Sequence, residues 1–224
     1  MTTSIAEHGF ALVRNVLSEA RVQNLAEGLG SIAGAGKRGL WGVTQVAEVA
    51  RSEEVLGLVR PYTGELAKAV RAIYFDKSAD ANWLVAWHQD VTIAVKERVE
   101  LSGFGPWSMK DGVAHVQAPV EVLEKMLAVR IHLDDCDERN GALRVLPGTH
   151  RLGRLSSEQI QQLRVEKQEA VCCARAGDIM LMRPLLLHAS GKSDGNGHRR
   201  VLHIEYAGME LPCGLRWQGV RSND

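Results

Sequence analysis

Two residues in the segment Trp87-His88-Gln89-Asp90, together with the distant His188, constrain the fold of this chain more than any other feature. Side chains alternate between the two faces of an extended strand, so His88 and Asp90 point the same way. A second histidine from a distant strand can complete a set of three metal ligands. The pattern therefore predicts a metal site that joins two widely separated parts of the chain.

The proposed ligand set also indicates what kind of metal site to expect. Two histidines and one carboxylate on one face of an octahedron leave three positions open, as in non-heme Fe(II) oxygenases. The spacing H-x-D is common by chance, so its context matters. Residues 177–191 read as a turn, two short apolar strands separated by Pro184, and His188 at a strand end. Arg199, eleven residues after His188, opens another predicted strand.

The order of the predicted elements indicates the fold class. Ser18 is a good N-cap for a helix, and a second helix is expected from residue 52 to about residue 70, interrupted near Pro61. From residue 72 onward, short apolar runs alternate with Gly, Pro, Asn and Asp. Strands are predicted at residues 73–75, 83–87, 126–133, 142–146, 170–174, 178–182, 185–188 and 199–207. We expect one mainly β domain over residues 1–224, with a helical layer (1–71) packed on a jelly-roll core (72–224).

A long segment between the predicted strands is expected to cover the site. Residues 91 to about 126 contain several glycines and prolines and read as irregular. Loops longer than about 12 to 15 residues in compact domains are usually functional or disordered. Trp107 and its apolar neighbours are unusual for a disordered linker. We therefore predict a lid loop at about 91–126, with Trp107 in the substrate pocket, although anchoring of the loop to the core explains the same residues.

The strand at residues 127–133 carries two polar side chains among apolar ones. Arg130 and His132 share one face of this strand, and the other face is wholly apolar. A buried arginine needs an anionic partner, which an acidic co-substrate or substrate can supply. We predict that Arg130 binds the co-substrate and His132 the substrate. A surface pair or a structural ion pair is the alternative.

Composition excludes several other classes of protein. The 27 basic residues balance 27 acidic ones, which argues against nucleic acid or an anionic membrane as a partner and favours a small molecule. The first residues do not resemble a signal peptide, and no run approaches the roughly 18 apolar residues of a membrane span. The 4 cysteines lack disulfide or zinc-site spacing. We expect a cytoplasmic protein with reduced thiols, and a monomer is favoured.

The order H-x-D, a long gap, H and then R resembles the Fe(II)- and 2-oxoglutarate-dependent oxygenases, and among them the phytanoyl-CoA dioxygenase-like group. The segment Asn140-Gly141-Ala142-Leu143-Arg144-Val145-Leu146-Pro147-Gly148-Thr149-His150 is similar to a strand and turn of that group, so the resemblance covers most of the chain. It implies a double-stranded β-helix, also described as a cupin-like barrel.

The resemblance also implies roles for individual residues. His88, Asp90 and His188 would ligate Fe(II), leaving room for 2-oxoglutarate and dioxygen. Arg199 would pair with the distal carboxylate of 2-oxoglutarate, and Ser190 would donate a hydrogen bond to it. This chain departs from some members of the group, which carry an aromatic residue where it has Arg130.

The function expected from these observations is that of an Fe(II)- and 2-oxoglutarate-dependent dioxygenase that hydroxylates a small-molecule metabolite. Two alternatives remain open at this stage. One is a non-catalytic barrel that binds a small acid. The other is a cupin-type metal-dependent hydrolase or isomerase, which would use the same ligands with zinc or manganese and no co-substrate.

Overall fold

The computed structural model describes residues 4–32, 34, 36–78, 81–194 and 197–219. Its α-helices are α1 (Ile5–His8), α2 (Glu19–Leu29), α3 (Thr44–Arg51), α4 (Glu53–Thr63), α5 (Val120–Leu123) and α6 (Ser157–Glu166). Its strands are β1 (Phe10–Val13), β2 (Gly36–Lys37), β3 (Lys68–Lys77), β4 (Val85–His88), β5 (Thr92–Val95), β6 (Trp107–Lys110), β7 (Val113–Gln117), β8 (Met126–His132), β9 (Leu143–Val145), β10 (Ala170–Cys172), β11 (Ile179–Met182), β12 (His188–Ser190) and β13 (Arg199–Ala207). Short 3-10 turns occur at Leu40–Gly42 and Thr149–Leu152.

The N-terminal helices follow the prediction in part. Helix α2 begins after Ser18, whose hydroxyl accepts a hydrogen bond from the Arg21 amide at 3.4 Å. The second helix was predicted to run to about residue 70, but α4 ends at Thr63. The next residue, Gly64, has φ 86°. Such a φ is easily reached by glycine and ends the helix. Strand β3 already begins at Lys68, so the expected helical layer 1–71 contains strand residues at both β1 and β3.

A six-stranded antiparallel sheet forms the centre of the fold, in the order β1-β11-β8-β13-β3-β2. One face of this sheet, here called the outer face, packs against α2, α3 and α4. The outer face presents apolar side chains, which include Leu127, Val129, Ile131, Leu202 and Ile204. Helices cover this face because their own apolar stripes need a partner surface.

The opposite, inner face of the six-stranded sheet looks toward a four-stranded sheet in the order β10-β9-β12-β4. Apolar residues from both sheets pack together, among them Ala128 and Met180 from the first sheet and Leu143 and Val145 from the second. This arrangement confirms the predicted mainly β, jelly-roll class with N-terminal helices. No sheet closes on itself within the described residues, so the two facing sheets form an open sandwich and not a closed barrel.

The segment at 91–126 is not the irregular loop that we expected. Strands β5, β7 and β6 form a third antiparallel sheet, and α5 follows it. Its inward side chains, such as Ile93, Val95 and Val116, pack with Leu211 and Trp217 from the C-terminal part of the chain. The glycines and prolines here mark turns between short strands, which is why the pattern read as irregular. None of the helices among the described residues has the length and hydropathy of a membrane span.

Candidate metal centre and anion pocket

Strands β4 and β12 bring the predicted ligands together. These strands are antiparallel neighbours, and His188 pairs directly with His88. Asp90 lies just beyond the end of β4, where its amide donates to the Pro184 carbonyl at 2.9 Å. One ligand atom from each of His88, Asp90 and His188 lies within 4.8 Å of the others. Strand β12 begins at His188 and not at Leu185 as predicted, because the Leu186 amide closes a turn onto the Arg183 carbonyl.

Both histidines are oriented by the backbone. Nδ1 of His88 lies 2.8 Å from the Ala86 carbonyl, and Nδ1 of His188 lies 2.8 Å from the Leu186 carbonyl. A carbonyl only accepts, so each Nδ1 carries the proton and each Nε2 keeps a free lone pair. Both Nε2 atoms face Asp90, at 3.7 Å for His88 and 3.6 Å for His188. The hydrogen bond from Nδ1 to a backbone carbonyl is one that metal-binding histidines commonly use to fix their tautomer.

Protonation states at this cluster suit a cation. Burial lowers the pKa of His188 to about 4, so its imidazole is neutral at pH 7. Burial alone would raise the pKa of Asp90, but the charges of His188, His203 and their neighbours lower it to about 2. Metal ions bind the neutral imidazole and the ionised carboxylate. The three residues therefore fit a divalent metal ion.

The cluster opens into a cavity of about 200 Å³ between the two facing sheets. Its lining residues come from the inner face of the six-stranded sheet, from the four-stranded sheet and from the segments beside them: Arg38, Arg71, Ile73, Phe75, Trp83, Val85, His88, Asp90, Arg130, Leu143, His188, Ser190, Arg199, His203 and Glu205. The metal cluster therefore shares one pocket with all three predicted co-substrate residues, Arg130, Ser190 and Arg199.

One end of the pocket collects basic side chains around Ser190. Arg199 and Lys77 pair across β13 and β3, and both are buried. The Lys77 ammonium donates to the Ser190 hydroxyl at 3.0 Å and to the Gly191 carbonyl. Arg130, on the next strand, contacts His203 Nδ1 at 3.2 Å. This end of the pocket, lined by Arg130, Ser190 and Arg199 and backed by the buried Lys77, is called the basic end below.

The charges at the basic end lack acidic partners. Within the described part of the chain, no carboxylate lies within 4.0 Å of Lys77, Arg130 or Arg199. The Nε atoms of Arg130 and Arg199 are buried without a hydrogen-bond partner. Burial, helped by the two arginines, lowers the pKa of Lys77 to about 7. Buried cations without counter-ions are costly, so this end fits an anionic ligand.

Neighbouring arginines on β13 face opposite sides of the sheet. Arg199 lines the pocket, whereas Arg200 makes a two-pronged ion pair with Asp134, with contacts of 2.8 and 2.6 Å. The hydrogen bonds to Asp134 raise the pKa of Arg200 above its ordinary value. The expectation that Arg199 and not Arg200 faces the pocket is confirmed.

Two predicted substrate residues lie outside the described lining of the pocket. Trp107 packs on the core under the third sheet, and Arg98 lies over its ring at 5.7 Å from the centroid. His132 is buried beside the basic end, and burial lowers its pKa to about 3. Their roles in substrate binding stay predictions, and the structure places both side chains beside the pocket and not in its lining. Arg130 does line the pocket.

Five residues at the site were missed in the sequence: Arg38, Arg71, His203 and Glu205 line the pocket, and Lys77 lies behind Ser190. A signal existed for four of them. In β3, Arg71 and Lys77 lie on the same face as the apolar Ile73 and Phe75. In β13, His203 and Glu205 follow Arg199 by four and six residues, so all three share one face of the strand. Polar residues that keep a period of two within a buried strand indicate a polar pocket.

A family model and solved structures show what the chain resembles. The model of the family described as phytanoyl-CoA dioxygenase matches residues 5–201. No curated protein matched the sequence. AviO1 from Streptomyces viridochromogenes Tue57 is 19% identical with a TM-score of 0.67, covering 93% of this chain and 94% of its own. HygX from Streptomyces hygroscopicus, solved with nickel and 2-oxoglutarate bound, is 16% identical with a TM-score of 0.65, covering 91% and 84%.

A third structure extends the comparison. The non-heme alpha ketoglutarate dependent carbocyclase SnoK from nogalamycin biosynthesis is 16% identical with a TM-score of 0.69. The alignment covers 98% of this chain and 86% of SnoK. At identities this low, the likeness establishes a shared fold alone.

Proposed function

Because the chain belongs to the phytanoyl-CoA dioxygenase family, we propose that it is an Fe(II)- and 2-oxoglutarate-dependent dioxygenase that hydroxylates a small-molecule metabolite. The observation that carries this proposal is the shared pocket. A cluster of two histidines and one carboxylate adjoins a basic end whose buried cations have no acidic partner. A metal ion and a dicarboxylate would satisfy both.

In this proposal His88, Asp90 and His188 hold the iron. The bound iron would activate dioxygen, while 2-oxoglutarate supplies two electrons and ends as succinate and carbon dioxide. The chain contributes orientation, since the carbonyls of Ala86 and Leu186 fix both imidazole rings before any metal arrives. Side chains that are already oriented lose little further conformational entropy when they bind a metal ion.

The basic end would hold the far carboxylate of 2-oxoglutarate. The guanidinium of Arg199 can donate two parallel hydrogen bonds to a carboxylate. The Ser190 hydroxyl already accepts from Lys77, so its own proton is free to donate to the ligand. Arg130 adds a second positive charge from β8. Lys77 would act as a positioning residue that holds Ser190 and Gly191.

The arrangement of the whole chain is also part of the proposal. We infer that residues 1–224 act as one oxygenase domain, and that the third sheet covers the site where a lid loop was expected. Support comes from the packing of that sheet on residues near the C-terminal end of the chain. We also propose a monomeric, cytoplasmic enzyme that acts on a small molecule, and the balanced charge supports the small-molecule partner.

Turnover of 2-oxoglutarate tests the proposal against its alternatives. The protein is supplied with Fe(II), 2-oxoglutarate and oxygen, and succinate is measured with wild type, His188→Ala and His8→Ala. Uncoupled turnover should be detectable for wild type and for His8→Ala, which alters a histidine on α1 outside the pocket lining. His188→Ala should remain folded, bind Fe(II) more weakly and form no succinate.

The alternatives predict different results. A non-catalytic acid-binding protein would bind 2-oxoglutarate without forming succinate. A cupin-type hydrolase or isomerase would work with zinc or manganese, without oxygen, and would leave the basic end with no ligand to bind. Full succinate formation by His188→Ala would overturn the ligand assignment itself.

A further inference from the structure

Beyond Asp90, the pocket continues into a second polar region that the proposed chemistry does not use. Arg71 on β3 and Glu205 on β13 face each other across the two strands, and Nη1 of Arg71 lies 3.0 Å from Oε1 of Glu205. Their side chains are only 12% and 6% exposed. Arg38, from the segment after β2, lines the same region. This region, formed by Arg38, Arg71 and Glu205, is called the far end below.

The far end has unused hydrogen-bonding atoms of both kinds. Oε2 of Glu205 is buried and accepts no hydrogen bond. The Nε atoms of Arg71 and Arg38 are buried and donate none. A purely structural ion pair would normally satisfy such atoms, since leaving them unpaired is costly. A ligand that both accepts and donates hydrogen bonds would satisfy them together.

Positive charge exceeds negative charge at the far end. Lys110 on β6 lies near Arg71 and Arg38. Burial is the largest cause that lowers the pKa of Lys110, and the charges of the two arginines lower it further. Within the described residues, no carboxylate lies within 4.0 Å of Lys110. Arg38 is paired at 3.0 Å with Asp111, whose side chain is 64% exposed and screened by water. The balance favours a ligand with a negative charge.

Three of the five apolar lining residues, Trp83, Val85 and Leu143, lie at the opposite end of the pocket, and Phe75 and Ile73 lie between the two ends on β3. Val85 and Leu143 both pair with Ser190 in the four-stranded sheet, and the Trp83 ring lies 5.2 Å from the Lys77 ammonium. These apolar groups therefore surround the basic end, where the co-substrate would bind. At the far end itself only Ile73 adds an apolar side chain beside the charged groups, which does not suit a long hydrocarbon chain.

We propose that the primary substrate is a small hydrophilic acid that places its anionic group on Arg38 and Arg71 and donates a hydrogen bond to Glu205. The donor is a hydroxyl or an ammonium close to the acid group. This inference rests on the proposed function, because it assigns the basic end to 2-oxoglutarate and the far end to the substrate. It assigns Arg71 and Glu205 to substrate selection.

Carbon-matched probes separate the two requirements. L-Threonine and gluconate carry an acid group with neighbouring donors, butyrate and hexanoate carry the acid alone, and erythritol and sorbitol carry donors alone. Hexanoyl-coenzyme A tests the acyl thioester class. Each probe is titrated by calorimetry, under argon, into wild-type protein loaded with Fe(II) and 2-oxoglutarate. We expect L-threonine or gluconate to bind at least about tenfold more tightly than its matched acid and polyol, since charge-assisted bonds to both groups contribute.

Variants of the far end show whether the contact is direct. Glu205→Gln should reduce the preference for the probe with a donor by about tenfold, and Arg71→Gln should weaken binding of the acid group similarly. The double variant Arg71→Gln/Glu205→Gln removes both charges, so it avoids leaving one buried ion unpaired. Arg216→Gln, which breaks a surface pair with Glu97, is the matched control. Affinity for 2-oxoglutarate should stay within about twofold in all of them.

The outcomes are distinguishable. Equal binding of the polyols or of the simple acids, preference for hexanoyl-coenzyme A, no binding by any probe, or unchanged selectivity in the double variant would each overturn the inference. If 2-oxoglutarate binds and yields succinate while the acid probes fail, the proposed function stands and only the inference falls. If the acid probes bind selectively but 2-oxoglutarate is never consumed, the far-end assignment stands and the proposed function falls.

Discussion

The two faces of strands β8 and β13 are built from the same backbone yet carry opposite chemistry. On the outer face, Val129 and Leu202 are completely buried among apolar side chains from the helices. On the inner face, Arg130, Arg199 and Glu205 are almost as buried but line the pocket. One residue step along either strand changes a core position into a site position.

This difference teaches how stability and function are divided in the fold. Burial of apolar area on the outer face stabilises the folded chain, at about 25 cal/mol per Å². Buried ions on the inner face oppose folding unless a ligand or partner compensates them. A protein that keeps such ions therefore relies on the outer face for its stability. Substitutions on the two faces should give opposite patterns of effect.

The largest effect is expected from the outer face. Leu202→Ala should lower the free energy of unfolding by about 3 to 5 kcal/mol, because it removes buried methyl groups and leaves a cavity. Affinity for 2-oxoglutarate should change by less than about twofold, since Leu202 points away from the pocket. Urea unfolding and calorimetric titration measure the two quantities. A stability loss below about 1 kcal/mol would show that the helical layer does not carry the stability of the fold.

Lys77 tests the inner face through pH. Its pKa is about 7 in the fold, lowered by burial and by Arg199 and Arg130, against 10.5 ordinarily. Below pH 7 the folded protein must bury the full charge, and this penalty fades as pH rises toward 10.5. Lys77→Met should therefore raise the free energy of unfolding more near pH 6 than near pH 10, by about 2 to 4 kcal/mol.

The comparison uses metal-free protein without 2-oxoglutarate, and denaturant unfolding of both proteins at each pH. Other titrating groups are common to both proteins and cancel in the difference. A gain that does not depend on pH, or one that is larger near pH 10, would contradict the account of Lys77 as a buried cation without a carboxylate partner.

A smaller effect is expected at Arg130. Arg130→Met should weaken binding of 2-oxoglutarate or of the primary substrate by about tenfold while Fe(II) binding is kept, because it removes one charge from the basic end. The stability of the ligand-free protein should be equal or higher. Arg164→Met on the exposed surface of α6 serves as the control. Unchanged affinity for both ligands would mean that Arg130 serves the structure and not the site.

Some of this organisation could be predicted from the sequence alone. The metal cluster followed from the H-x-D spacing of His88 and Asp90, although Asp90 lies just beyond the end of β4, and from the resemblance carried by the order of His188 and Arg199 after them. The polar face of β8 followed from the alternation of side chains in a strand. The prediction for β8 worked because a period of two is a local property that a strand carries in its own sequence.

Other features depend on pairing between strands, which no local pattern reveals. The contact of Arg71 with Glu205, and of Lys77 with Ser190, requires the register of distant strands. The third sheet was missed because its strands are short and separated by glycine and proline. Trp107 lies outside the pocket lining because an aromatic residue in such a segment packs on whichever apolar surface the tertiary fold provides.

Arg199 and Arg200 give the most direct test of the central claim, which is that the inner face binds an anionic co-substrate. Arg199→Met and Arg200→Met make the same chemical change at adjacent residues that face opposite sides of β13. Calorimetric titration of 2-oxoglutarate into each Fe(II)-loaded variant under argon should show an affinity loss of about 100-fold for Arg199→Met, from the lost two-pronged contact, and less than about twofold for Arg200→Met. Equal losses in the two variants, or a loss confined to Arg200→Met, would contradict the account.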